Sequence, residues 1–93
     1  MAEVSLVTTL KPNPGVVAKR LDEIAVLVDV SSNRIFELNH TGARVWELIG
    51  EGFDSEQIVR RLVDEFDAAL PIVASEVDSL LGRLRMEGLL ACG

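Results

Sequence analysis

The chain changes its hydrophobic period at Asn39 without a break. From Arg34 to Leu38 the segment RIFEL alternates, with Arg34, Phe36 and Leu38 on one face and Ile35 and Glu37 on the other. From His40 onward Gly42, Val45, Trp46 and Ile49 recur at i, i+3, i+4 and i+7, the spacing of one helical face. No proline or glycine pair separates the two patterns. Asn39 can end the strand and cap the helix at once, because its side chain accepts from the first free backbone N–H groups. A strand feeding directly into a helix restricts the chain to folds in which sheet and helices share one core.

The segments on either side follow the same logic. "KPNPG" at residues 11–15 cannot be helical, since Pro12 and Pro14 lack donors and bias their predecessors toward extended geometry. Residues 1–15 therefore read as an arm or edge segment. Val16–Leu21 and Ile24–Val30 read as two strands separated by Asp22 and Glu23. Ser31, Ser32 and Asn33 are turn residues, and Arg34–Leu38 is the third strand of an antiparallel meander. After Gly50 and Gly52, Asp54 and Gln57 have the spacing of a capping box, and Phe53 and Ile58 that of a hydrophobic staple. Ile58, Val59, Leu62, Val63 and Phe66 form the apolar stripe of this second helix. A third helix begins near Pro71, carries Val73, Val77, Leu80, Leu81 and Leu84, and stops at Gly88, with Leu89 able to fold back on the last turn. The expected architecture is α+β: a three-stranded antiparallel sheet followed by a three-helix bundle.

Composition limits what such a domain can do. The net charge is −6, and ten of the fifteen carboxylates lie in the helical half. Nucleic-acid binding rests on clustered lysine and arginine, so phosphate is a poor partner. His40 is the one histidine and Cys92 the one cysteine, which excludes a two-histidine metal site and an internal disulfide. His40 reads as a solvent-facing first helical residue. The carboxylate pairs Asp64–Glu65 and Glu76–Asp78 read as solvated helix faces, and Arg60–Arg61 as partners of Glu56 and Asp64. No phosphate loop or nucleophile constellation is present, so neither catalysis, a cofactor nor a metal is expected. No apolar run approaches the ~20 residues of a membrane span and the N-terminus lacks a signal-peptide pattern, so a cytoplasmic protein without membrane contact is expected. What remains is the third strand, which has a meander neighbour on one side only. Its unpaired N–H and C=O groups could accept an extended peptide as a further strand, unless residues 1–15 cover them.

The succession IFELNHTGARVWELI, EGFDSEQIVRRLVDEFD and VASEVDSLLGRLRMEGLL resembles the PqqD family over about residues 16–90. The resemblance is carried by Leu38-Asn39, Thr41-Gly42-Ala43 and Val45-Trp46-Glu47-Leu48. It continues through Ile58-Val59, Leu62, Phe66-Asp67, Leu84-Arg85 and Glu87-Gly88-Leu89-Leu90. It implies a winged-helix-like domain over 16–90, preceded by an arm at 1–15. It also implies a non-catalytic peptide chaperone, or RiPP recognition element. Such a protein binds the leader segment of a ribosomally made precursor peptide and presents it to a modifying enzyme, often a radical SAM protein. The leader would add beside Arg34, Ile35, Phe36, Glu37 and Leu38, with Glu76, Leu80, Arg83 and Leu84 facing it from the third helix. Members serving coenzyme PQQ synthesis tend to carry a proline–glutamate turn before that strand. Ser31-Ser32-Asn33 looks more like members attached to other peptide-modification clusters. The alternative is a winged-helix regulator binding DNA or another protein through the third helix.

Overall fold

In the computed structural model, which describes residues 10–91, the meander forms as expected. Strands β2 (Val16–Leu21), β3 (Ile24–Asp29) and β4 (Arg34–Leu38) pair antiparallel in the order β2-β3-β4. The register sets Leu27 opposite Ala18 on one side and Phe36 on the other. Asp22 and Asn33 occupy the left-handed region, with φ of 56° and 61°, which these short polar residues tolerate in turns. β3 ends at Asp29, one residue before the expected Val30. The Asp29 carboxylate accepts from the Ser31 N–H at 3.2 Å and hydroxyl at 2.9 Å, which turns the chain away from the sheet and leaves Val30 exposed.

Helices cover one face of this sheet. The face of β3 that points inward carries Ala25, Leu27 and Asp29, and Leu27 is fully buried. Helix α1 (His40–Gly50) lies against β3 and β4 and also touches α2. It therefore buries Ala43 and Leu48 as well as the expected Val45, Trp46 and Ile49. Helix α2 (Ser55–Phe66) starts on a complete capping box: Gln57 N–H donates to Asp54 at 2.8 Å, and Asp54 N–H to the Gln57 side chain at 3.0 Å. Its Ile58 and Leu62 are buried and Val59 and Val63 half-buried. Phe66 departs from the expected stripe. It is 36% exposed and meets the His40 ring edge-on at 5.3 Å, because the helix ends there, at Asp67 in the left-handed region, and the ring overhangs the start of α1. Of the Arg60–Arg61 pair, Arg60 meets Glu56 at 3.3 Å, while Arg61 lies over the Phe53 ring.

Helix α3 (Leu70–Met86) has Pro71 in its first turn and buries Val73, Val77, Leu81 and Leu84. Gly88, at φ +75°, reverses the chain. Leu89 then donates its N–H to Leu84 C=O at 2.9 Å and buries its side chain. The short strands β1 (Lys11–Pro12) and β5 (Leu90–Ala91) pair antiparallel, and Asn13 reinforces them with bonds to Gly88 and Leu89. Leu10 is buried in the core. The described part of the N-terminal arm thus joins the fold through the C-terminal strand and α1, and none of it pairs with β4. Residues 1–9 and Cys92 lie outside the described residues.

One forked ion pair ties α1 to α2. The Arg44 guanidinium donates to both Glu65 oxygens, at 2.8 and 2.7 Å, and holds that carboxyl below its ordinary value. Hydrogen bonds from Ser31 and Ser32 hold the Asp29 carboxyl below its ordinary value too. Carboxyls depressed in the folded state contribute stability that is complete above their unfolded values and is lost as pH falls through the folded ones. Stability followed by Trp46 fluorescence is expected to fall as pH drops below about 4.3. Glu65→Gln is expected to cost at most about 1 kcal/mol at neutral pH, since the pair is partly exposed, and to flatten that acid dependence.

Candidate functional site

The junction that opened the sequence is closed by two residues. The Asn39 side chain accepts from Gly42 N–H at 2.9 Å, so the first turn of α1 is capped by the residue that ends β4. A side-chain carbon at Gly42 would lie 3.3 Å from both Asn39 Oδ1 and the Leu38 Cβ. Glycine therefore lets the helix start tight against the strand.

Among the described residues β4 pairs with β3 alone. In an antiparallel ladder alternate residues turn their N–H and C=O toward the partner, and the others point away. The outer edge of Arg34–Leu38 thus offers unpaired backbone groups. The arm strand β1, which could have covered them, pairs with β5.

α3 runs beside this edge. Glu87 at its C-terminal end is ion-paired with Arg34 at the start of β4, and Arg34 also lies 4.8 Å from the centroid of the Phe36 ring. One to three turns earlier, Arg83, Leu80, Ser79 and Glu76 line a groove of about 430 Å³ whose opposite wall is Asn39, Thr41 and Gly42. The groove therefore follows α3 from the end of β4 into the start of α1. Its wall mixes a carboxylate, a guanidinium, hydroxyls and one leucine. It suits an extended peptide with alternating side chains better than a polyanion.

The expected residues fall into three places: the groove wall, the edge strand outside that wall, and the core. Glu76, Leu80 and Arg83 line the groove, and Arg34, Phe36 and Leu38 point to the helical side of the edge strand. Ile35 and Glu37 face the opposite side of the sheet, so only their backbone belongs to the edge. Leu84 is 2% exposed and packs in the core beneath the groove, while Leu80 is half-buried. Leu84 offers no surface to a guest. The sequence reasoning missed Ser75, Ser79, Thr41 and Glu87. Ser75 and Ser79, small residues one turn apart beside Leu80, were the legible sign of a hollow on that face. The pairing of Glu87 with Arg34 had no local signature. Among the described residues no group of three or more potential metal ligands occurs, and no helix is long and apolar enough to cross a membrane.

Comparisons with known proteins point the same way. The profile of the family described as Coenzyme PQQ synthesis protein D (PqqD) matches residues 25–90. The fold matches a structure described as TbiB1 in complex with the TbiA(beta) leader peptide, with a TM-score of 0.82 and 30% identity over 86% of this chain and 93% of that one. It also matches lasso peptide synthetase B1 complexed with the leader peptide, with a TM-score of 0.80 and 20% identity over 88% and 96%. Comparison with curated proteins returns no match.

The two leucines of α3 are expected to separate in a mutant pair. Leu84→Ala is expected to cost about 2–5 kcal/mol of stability, as core truncations do. Leu80→Ala is expected to cost roughly 1 kcal/mol or less, since the side chain is only half-buried. Urea unfolding of both variants checks the difference.

Proposed function

The chain belongs to the PqqD family, and from that membership we propose that it is a non-catalytic recognition element for the leader segment of a ribosomally made precursor peptide. The observation that carries the proposal is the β4 edge, unpaired among the described residues, beside the α3 groove, in a fold shared with two proteins solved with leader peptides. A guest would add as a strand along Arg34–Leu38. Its backbone would bond to the outward N–H and C=O groups, and its inward side chains would lie against Phe36, Leu80 and Arg83.

Magnitudes decide how the work divides. Five residues of β4 offer only a few outward groups, each worth about 0.5–1.5 kcal/mol net. Association costs about 4–15 kcal/mol in lost freedom. Burying ~200 Å² of apolar surface in the groove would add about 5 kcal/mol. The edge therefore sets direction and register, and the groove decides which peptide stays. Once held, the leader keeps the rest of the precursor near a modifying enzyme, at an effective concentration in the ~mM range for a short tether, without chemistry by this chain. A radical SAM protein is the class of enzyme we propose, and the cytoplasm, where precursor and enzyme would meet, is the proposed compartment.

Binding of DNA is the less favoured alternative. The arginines of α3, Arg83 and Arg85, stand among Glu76, Asp78 and Glu87, and Arg83 faces the groove. Duplex DNA is expected to remain unshifted even at low salt.

The test is titration of a synthetic leader, from the precursor gene neighbouring this one, into labelled protein. The backbone amides of residues 34–38 are expected to shift first. Because alternate residues face outward, either Phe36 or Glu37 directs its N–H at the guest. Proline at that position is expected to abolish binding with the circular dichroism of the fold retained. Full binding by both proline variants, or shifts confined to another face, would show that the edge is not the site.

A further inference from the structure

The helices cover one face of the sheet, and among the described residues nothing covers the other. Its surface is apolar along the middle strand, where Ile24, Val26 and Val28 stand in a row. The register places Val17 on β2 and Ile35 on β4 to either side of Val28, and both are largely exposed, at 58% and 71%. The next row is Lys19, Val26 and Glu37. We infer that this outer face is a self-association surface, on which a second copy of the chain packs face to face about a two-fold axis running along β3.

The committed occupant follows from charge. Lys19 and Glu37 flank Val26 on opposite neighbouring strands, about 10 Å apart at ~4.8 Å per strand, which is too far for a bond within one sheet. A two-fold axis along β3 sends β2 of one copy over β4 of the other. Lys19 then meets the second copy's Glu37, and Glu37 meets its Lys19. The same rotation seats Val17 on Ile35 and brings the valines of β3 onto each other. The face is thus complementary to itself in both charge and shape, as an isologous interface requires. Two twisted sheets pack face to face with their strands within about 30°.

The size of the face sets the strength. Three strands of five or six residues span roughly 15 by 18 Å. Such a contact falls short of the ~1,200 Å² total typical of stable complexes, so the pairing is weak and concentration-dependent. The edge of β4 points sideways in this arrangement, so two leader sites would remain open, one at each flank. The inference is independent of the proposed function.

The experiment is sedimentation equilibrium of the full chain over a range up to about 1 mM, with circular dichroism of every variant. Wild type is expected to dimerise with a Kd of roughly 10–500 μM. Val17→Lys is expected to be monomeric throughout and to bind the leader as wild type does. Lys19→Glu and Glu37→Lys are each expected to weaken association roughly tenfold, through like charges meeting twice per dimer. The double charge swap is expected to recover most of the loss. A wild type that stays monomeric at about 1 mM overturns the inference and leaves the face to a different partner. A charge swap no better than its single variants overturns the two-fold arrangement, since only that arrangement brings the two positions together. Should Val17→Lys fail to fold, Lys19→Glu carries the same test.

Discussion

The antiparallel pairing of the chain's two ends decides what the rest of the molecule can do. Lys11–Pro12 pairs with Leu90–Ala91, and Asn13 bonds to the turn at Gly88 and Leu89. This holds the described part of the arm at the far end of α3, in a two-stranded ladder of its own. The same segment, had it continued alongside the meander, would have been a ready fourth strand for β4. The closure also fixes α3, because Leu89 is buried in the core directly before β5 and ties the helix to the ladder. Among the described residues, an edge left unpaired and a helix held beside it are two results of one contact.

α3 serves two surfaces at once. Its buried row, Val73, Val77, Leu81 and Leu84, attaches it to the core, while Glu76, Ser79, Leu80 and Arg83 face the groove. The rows are adjacent, and Leu80 lies at their border. A helix that packs strongly on one side can present polar and small residues on the other without losing its place. Under the proposed function, peptide affinity and fold stability would depend on different residues of the same element.

The sequence made most of this legible where the signals are local. The junction at Asn39, the capping box at Asp54 and Gln57, the glycine stop at Gly88 and the strand limits of β2 and β4 all depend on residues close together in the chain. Periodicity found the core stripes for the same reason. It failed where two rows meet: Leu80 and Leu84 are one turn apart and equally apolar, and only the placement of α3 opposite the start of α1 distinguishes groove from core. It failed also at Phe66, whose spacing matches the stripe but whose position at the helix end lets it swing onto His40. The Arg34–Glu87 and Arg44–Glu65 pairs join residues 53 and 21 positions apart, and no pattern within one element announces them.

Charge works in this molecule mainly by exclusion. At a net −6, the domain repels polyanions over distances up to the Debye length of ~8 Å at physiological salt, and hardly beyond it. Along α3 the charges alternate: Glu76 and Arg83 line the groove, and beyond its lining Glu87 engages Arg34. An alternating wall exerts little net pull on either sign. It would reward a guest whose own charges fall opposite the right partners and penalise one shifted along the edge. A backbone ladder has no such preference, because every register offers the same N–H and C=O groups. A leader adding along β4 as proposed would therefore take its register from the side chains of α3, which is why the helix would matter as much as the unpaired strand.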